Sequence, residues 1–112
     1  MTRSLLLAGL ALFLGAAGPA PDVSRGAAIV AHGTGNGVLP CMACHGPDLM
    51  GNASIGAPRI AGLPVATTRA AFRAIAAGRM GRNYVMKNIA HALSPPERAA
   101  VAAYLAGLAS TP

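Results

Sequence analysis

The chain has 112 residues, with nine Lys or Arg, three Asp or Glu and a formal charge of +6. A basic surface of this kind is compatible with nucleic-acid binding, but the presence of only two Tyr and two Phe, together with an N-terminal export segment, argues against that function. The mean hydropathy of +0.50 reflects the N-terminal segment and the many alanines, so it does not indicate a membrane protein.

Residues 1–20 have the pattern of a secretory signal peptide. Arg3 precedes an apolar run from Leu5 to Ala17, and small residues follow the run. Because a membrane span needs about 20 apolar residues, we predict a cleaved signal rather than an uncleaved anchor. Cleavage after Ala17 and cleavage after Ala20 both fit the sequence. Export across the inner membrane would place the protein in the periplasm.

Removal of this segment leaves one domain, residues 21–112. The domain has eight Lys or Arg against three acidic residues, a formal charge of +5. So small a domain has a limited core and commonly needs a cofactor or a metal for stability. The charge predicts either steering toward an acidic partner surface or a role in solubility alone.

The first helix of this domain is expected over residues 22–33, with Asp22 or Ser24 as N-cap and Gly33 at its end. Gly26 lies inside the helix and costs about 1 kcal/mol relative to alanine, which indicates a close crossing by another helix. The apolar face is predicted to contain Val23, Ala27, Val30 and Ala31.

Cys41-Met42-Ala43-Cys44-His45 forms a C-x-x-C-H motif, the attachment sequence of a c-type haem. The spacing suits this chemistry because each thiol adds to one vinyl group of the haem and the adjacent His45 ligates the iron. Cys41 and Cys44 are the only cysteines of the chain. We therefore predict one covalently bound haem c.

Three other uses of the cysteines stay open from the motif alone. A thioredoxin-like redox pair requires a βαβ pattern, and the sequence contains no convincing strand. A zinc site would need His32 or His91 as a further ligand. The sequence has no second pair of ligands at the spacing of a zinc finger. A structural disulfide would leave the adjacent His45 unexplained.

The region after the motif alternates between loops and helices. Residues 46–62 have no period and are rich in Gly, Pro, Asn and Ser, so we expect a loop that wraps the cofactor rather than a disordered linker. A helix is predicted from Leu63 to Gly78, and residues 84–93 form a short irregular or weakly helical piece. The helix is expected to bury Thr68, Phe72, Ile75 and Ala76 and to expose Arg69 and Arg73.

The last helix has the clearest start signal, Ser94-Pro95-Pro96-Glu97, a capping box with proline in the first turn. It is expected to end near Leu108, and Tyr104 is the expected partner of the small face around Gly26. The apolar face of this helix comprises Val101, Tyr104, Leu105 and Leu108.

Together, the signal segment, the early helix with Gly26, the C-x-x-C-H motif, Pro58, the methionine region and the terminal helix resemble a bacterial class I c-type cytochrome with one haem. The resemblance covers essentially the whole mature chain. It is closest to the single-haem units of periplasmic dihaem cytochromes and of dehydrogenase cytochrome subunits. It implies an all-α cytochrome c fold, with three to four helices around one covalently attached haem and with crossing N- and C-terminal helices.

The resemblance also implies the ligands of the haem iron. His45 is the proximal ligand, and a methionine closes the sixth position, where a thioether favours the reduced iron. Met42 lies between the cysteines and Met50 follows His45 too closely to reach the opposite face, which leaves Met80 and Met86. The run before the last helix is similar to the distal loop of the family, so Met86 is the expected ligand and Met80 the alternative.

Two further residues are expected beside the haem. Pro58 matches the family's proline whose carbonyl accepts the ring N–H of the proximal histidine, and Arg59 is placed to meet a propionate. Thr67 and Ala71 stand where relatives commonly have a tyrosine and a glutamine that support the propionates, so these two supports are missing here.

A haem with both axial positions filled leaves no site for a substrate, so the resemblance implies an electron carrier and not an enzyme. Its edge near Cys41 and Cys44 would exchange single electrons with redox partner proteins, and Arg79, Arg82 and Lys87 would guide an acidic docking surface. Neither nucleic acid nor a small-molecule substrate is an expected partner. Two alternatives are a five-coordinate haem protein that binds small gases or peroxide, and a small subunit of a dehydrogenase or oxidase complex.

Overall fold

A computed structural model describes residues 20–108 of the protein. Within these residues there are five α-helices: α1 Val23–His32, α2 Cys41–His45, α3 Val65–Ala76, α4 Tyr84–Ala92 and α5 Pro95–Ala106. The loop between α2 and α3 includes a 3₁₀ turn, Ala53–Ile55, and an isolated β-bridge between Asn52 and Ala57. Since residues 20–108 contain no strand, the all-α prediction is confirmed. Three to four helices were expected, and the short α2 and the regular α4 bring the number in residues 20–108 to five.

The predicted signal peptide, residues 1–20, lies outside the described residues except for Ala20. In the part of the chain that the structure covers, none of the helices combines the length and the apolar composition needed to cross a membrane.

The terminal helices cross at Gly26 of α1, as predicted. A Cβ atom placed on Gly26 would lie 2.6 Å from the carbonyl carbon of Ala100 and 3.0 Å from the Cβ atom of Tyr104. Carbon atoms pack best about 3.5–4.0 Å apart, so a residue without a side chain lets α1 and α5 approach this closely. The predicted pairing of Tyr104 with the face around Gly26 is confirmed.

The buried face of α1 agrees with the prediction at Val30 and differs from it at Val23 and Ile29. Ile29 and Val30 are fully buried, whereas Val23 is 51% exposed. Ile29 and Val30 stand three and four positions after Gly26, so they share the side of α1 that meets α5. Val23 belongs to the first turn and stays half exposed, so its place in the predicted apolar face was wrong.

One hydrophobic core unites α1, α3, α4 and α5 with the loops beside α2. Its buried members are Ile29, Val30, Val38, Leu49, Ala61, Phe72, Ile89, Ala90, Leu93, Val101 and Leu105. The predicted faces of α3 and α5 are confirmed in part. Thr68 and Phe72 are buried in α3, and Val101 and Leu105 are buried in α5. The other predicted members are only partly buried: Ile75, Ala76, Tyr104 and Leu108.

Residues 46–62 form a hydrogen-bonded loop rather than a linker without structure. The N–H groups of Ile60 and Ala61 both donate to the carbonyl of Leu49, at 2.9 and 3.1 Å. The Leu49 side chain is buried in the core, and its backbone adopts a φ of 62°. The loop therefore folds back on itself at Leu49 and stays attached to the core.

α4 is a regular helix where the sequence indicated an irregular or weakly helical piece. Asn83 is its N-cap, and Asn83 Oδ1 accepts the N–H of Met86 at 3.0 Å. Ile89 and Ala90 are buried in the core and stabilise α4 through packing. An asparagine before the helical segment is a start signal in its own right, so the sequence does contain the cue for this helix.

α5 begins with the predicted capping box. Ser94 Oγ accepts the N–H of Glu97 at 3.3 Å, and Glu97 Oε1 accepts the N–H of Ser94 at 2.9 Å. Glu97 also pairs with Arg25 of α1 at 3.0 Å, which joins the crossing helices a second time. The N–H of Ser94 is the main cause that lowers the pKa of the Glu97 carboxyl below its usual 4.5, and Arg25 adds a smaller effect.

Replacing Gly26 with alanine should destabilise the protein, although alanine favours a helix by about 1 kcal/mol. We expect the clash with the Ala100 backbone to lower the free energy of unfolding by about 1–3 kcal/mol. Denaturant unfolding of the haem-containing protein measures this change. Gly35→Ala is the matched control, because no atom lies within 4 Å of a Cβ placed there. Equal stability of the two variants would contradict the close crossing.

Replacing Glu97 with glutamine should remove a pH-dependent part of the stability. Since the pKa of Glu97 is lowered by folding, its ionised form stabilises the native state above pH 4.5, and this contribution is lost as the pH falls through the folded-state pKa. At about pH 7 we expect the variant to lose up to about 1 kcal/mol of unfolding free energy. Unfolding curves of the two proteins should converge toward about pH 3. A difference that stays constant with pH would contradict this role.

Candidate haem site

The two cysteines and His45 stand on one short helix. α2 begins after Pro40 and ends at His45, so its single turn contains the whole motif. Cys41 and Cys44 do not form a disulfide, and both residues are half buried. Residues three apart on a helix face the same side, so both thiols are placed to react with one flat cofactor.

The environment of Cys41 disfavours a reactive thiolate. Burial raises the pKa of the Cys41 thiol, and a backbone hydrogen bond offsets only part of that effect. Thioredoxin-like redox pairs depend on the opposite change, a lowered thiol pKa. Residues 20–108 also contain no βαβ unit. Cys41 therefore lacks the property on which the thioredoxin-like alternative depends.

The described residues do not provide the ligands of a zinc site. Between residues 20 and 108, no three His, Cys, Asp or Glu side chains come together in a group that could hold a metal ion. Neither His32 nor His91 therefore completes a zinc site with the two cysteines.

The imidazole ring of His45 is held in one orientation. His45 is only 6% exposed, and its Nδ1 lies 2.7 Å from the carbonyl oxygen of Pro58. A carbonyl oxygen only accepts hydrogen bonds, so Nδ1 is the donor and the neutral ring has its proton there. Nε2 keeps its lone pair, which is the form in which histidine binds a metal. The predicted hydrogen bond between His45 and Pro58 is present.

Gly51 allows the backbone around Pro58 to approach His45. The N–H of Gly51 donates to the carbonyl of His45 at 2.8 Å. A Cβ atom on Gly51 would lie 2.8 Å from the carbonyl oxygen of Ala57 and 3.0 Å from the carbonyl carbon of Pro58. Its φ of 99° also favours glycine. Gly51 is one of several glycines in this loop, and the sequence offers no signal that singles it out.

Arg59 and the two candidate methionines lie in different environments. Arg59 is exposed, and its Nε donates to the carbonyl of Ala61 at 3.2 Å. Met86, in the first turn of α4, is half buried against the core, whereas Met80 is 48% exposed in the loop after α3. A propionate contact of Arg59 and an iron–sulfur bond of either methionine stay predictions.

The residues present fit a covalently attached haem. Cys41 and Cys44 provide two thiols for the vinyl groups, and His45 Nε2 provides a nitrogen ligand for the iron. Several apolar side chains at the margin of the core stay partly uncovered: Met42, Ile60, Ile75, Ala76 and Met86. Incompletely covered apolar surface of this kind suits contact with a large flat macrocycle.

Relatives with curated functions match most of the domain. Over 73 residues the chain is 40% identical to a thiosulfate dehydrogenase electron acceptor of Stutzerimonas stutzeri (strain A1501), covering 65% of this chain and 33% of that protein. Over 68 residues it is 41% identical to a thiosulfate dehydrogenase electron acceptor of Thiomonas intermedia (strain K12), covering 61% and 31%. The matched part of the chain thus spans about a third of the length of these curated relatives.

Solved structures share the fold. A thiosulfate dehydrogenase of Marichromatium purpuratum matches with a TM-score of 0.73 and 34% identity, over 78% of this chain and 19% of that one. Cytochrome c4 of Acidithiobacillus ferrooxidans matches with a TM-score of 0.69 and 31% identity, over 77% and 49%. Cytochrome c4 of Pseudomonas stutzeri, at a TM-score of 0.71 and 24% identity over 83% and 54%, shows likeness of fold alone.

The family model for cytochrome c matches residues 23–109. The matched range includes the C-x-x-C-H motif and all five helices described above. The placement of both cysteines on α2 and the fixed ring of His45 agree with this match. The chain therefore belongs to the cytochrome c family, as an electron-transfer protein that binds haem c covalently.

Proposed function

We propose that this protein is a periplasmic carrier of single electrons, with His45 and Met86 as the axial ligands of its haem. The bound haem supplies an iron centre that accepts or releases one electron at a time. The hydrogen bond from His45 Nδ1 to Pro58 supports this function most directly, because it fixes the ring and makes Nε2 the lone-pair nitrogen of the neutral imidazole. A histidine supported in this way is a more basic and better oriented iron ligand.

The position of Met86 favours it as the second ligand. Its backbone N–H is bound by the side chain of Asn83 at the start of α4, and its own side chain packs at the margin of the core. Metal ligands require rigid support of this kind. Met80 stands in a loop and is 48% exposed, so its support is weaker. A thioether ligand favours the reduced iron and raises the reduction potential.

Two filled axial positions leave no place for a substrate on the iron, so the proposed function is electron transfer without catalysis. The alternative is a five-coordinate haem protein that binds small gases or peroxide, and it requires the sixth position to stay open. The half-buried Met86 supports electron transfer over this alternative.

We place the partner-docking surface around the start of α4. Arg79, Arg82 and Lys87 are exposed in this region. Beside them Tyr84 is 77% and Met80 48% exposed, and both line one shallow pocket together with Arg82 and Lys87. Exposed apolar side chains among cations suit an acidic redox partner that is attracted over a distance and then excludes water at contact.

A dehydrogenase is the favoured electron donor. Both curated relatives are named thiosulfate dehydrogenase electron acceptors, which supports a role as the cytochrome subunit or redox partner of such an enzyme. An oxidase complex is the corresponding candidate for the partner that accepts electrons from this protein. The signal-peptide pattern of residues 1–20 supports the periplasm as the place where these proteins meet.

Met86→Ala should abolish the iron–sulfur absorption band of the oxidised protein, because the thioether ligand is lost. The reduction potential should fall by on the order of 0.1 V, well inside the range of about 0.8 V that axial ligation spans. Absorption spectroscopy and redox titration measure the two effects.

Met80→Ala is the matched control, since it makes the same truncation at the alternative methionine. It should retain both the band and the potential. After denaturation both variants should keep covalent haem, because neither substitution changes Cys41 or Cys44. Loss of the band in Met80→Ala, with its retention in Met86→Ala, would assign the ligand to Met80 and contradict the proposal.

A further inference from the structure

We infer that Arg69, Arg73 and Arg98 form a binding site for a small, doubly charged oxyanion where α3 meets the start of α5. None of these residues belongs to the haem motif or to the candidate ligands of the iron. The inference is therefore independent of the proposed electron-transfer function.

Two helices bring the three arginines to one pocket. Arg69 and Arg73 stand four positions apart on α3, so they share one side of that helix. Arg98 and Pro95 stand three positions apart on α5, and these four residues line a single pocket of about 190 Å³. Ligand sites for drug-sized molecules enclose about 300–1,000 Å³, so this pocket suits a smaller ligand.

The pocket has positive charge without a neutralising carboxylate in the described chain. Of the acidic residues in the described part of the chain, Glu97 pairs with Arg25. Asp22 caps α1, and Asp48 accepts the backbone N–H of Met50. The three arginines therefore line the pocket without a hydrogen-bonded or ion-paired carboxylate among the described residues.

One nitrogen of the Arg98 guanidinium is hydrogen-bonded to the backbone, whereas another has no hydrogen-bond partner. One of its terminal nitrogens donates to the carbonyl of Ala90 near the end of α4, which fixes the side chain. Its Nε is buried and has no hydrogen-bond partner in the described part of the chain. A buried donor of a charged group without a partner costs about 1–3 kcal/mol or more, so each such group calls for an explanation. Nε itself is shielded from the pocket, so a bound anion would not contact it and would instead compensate the positive charge of the guanidinium to which it belongs.

The chemistry of the pocket selects the ligand. Guanidinium groups present planar pairs of N–H donors that match the oxygens of phosphate, sulfate and carboxylate groups. Three guanidiniums on one small pocket favour a compact ligand with two negative charges over a singly charged one. Pro95, which has no backbone N–H, contributes an apolar wall rather than a further donor. We therefore assign the site to free tetrahedral oxyanions of the sulfate and phosphate class.

A bound dianion would connect α3 to α5 and reduce the positive charge of this face of the protein. It would thereby stabilise the native state, because the unfolded chain lacks the pocket. It would also weaken the long-range attraction of acidic partners, which depends on the net charge of the carrier.

Titration calorimetry of the haem-containing protein with sodium sulfate tests this inference. Chloride holds the ionic strength constant, so that screening does not change during the titration. We expect saturable binding of one sulfate with a Kd of about 1 mM or lower, and binding of nitrate at least about tenfold weaker. The double variant Arg69→Gln/Arg73→Gln should bind sulfate at least about tenfold more weakly than the wild type.

Arg79→Gln/Arg82→Gln is the matched control, since it removes the same two charges from exposed positions outside the pocket. Its affinity for sulfate should stay within about twofold of the wild type. Arg69 and Arg73 are also exposed, so their double variant is expected to fold, and an unchanged haem spectrum would verify this. Absence of saturable sulfate binding in the wild type, or equal affinity in all three proteins, would overturn the inference. If the pocket accepted only acidic side chains of a partner protein, the wild type would show no saturable binding of sulfate.

Discussion

The hydrogen bond between His45 Nδ1 and the Pro58 carbonyl is the constraint on which the haem site depends. It fixes both the plane of the imidazole and the position of its proton, so that Nε2 is the nitrogen left to bind iron. The loop that follows α2 folds back so that the Pro58 carbonyl reaches His45. Gly51 removes the side chain that would separate the two backbones, and Leu49 anchors the loop in the core. The fold itself thus determines the orientation and the tautomer of the neutral His45 ring.

Features with a local chemical cause could be predicted from the sequence. The Asp22 cap and the Ser94–Glu97 capping box depend on residues three positions apart, and both are present in the structure. The C-x-x-C-H motif predicted the haem c of the family because its chemistry depends on spacing within one helical turn. The crossing at Gly26 could also be foreseen, since a glycine inside a helix is unfavourable unless another element needs the space.

Features that depend on three-dimensional placement could not be derived in the same way. Helical periodicity put Val23 on the buried face of α1, but the position of α5 decides that the face includes Ile29 instead. Gly51 looks like any other glycine of its loop until the loop is folded against His45. Likewise, Arg69 and Arg98 are 29 positions apart, and only the packing of α3 beside α5 brings them to one pocket. The Asn83 cap of α4 belongs with the local features instead, because an asparagine before a helical segment is a start signal that the sequence itself contains.

Carbon monoxide binding to the ferrous protein at neutral pH is the most direct test that a side chain of the chain fills the sixth position of the iron. Carbon monoxide needs an open or readily vacated position, so its binding rate reports on ligation by methionine. We predict slow or undetectable binding to the wild-type protein and rapid binding to Met86→Ala. Rapid binding to the wild type would contradict a six-coordinate electron carrier and support the five-coordinate alternative.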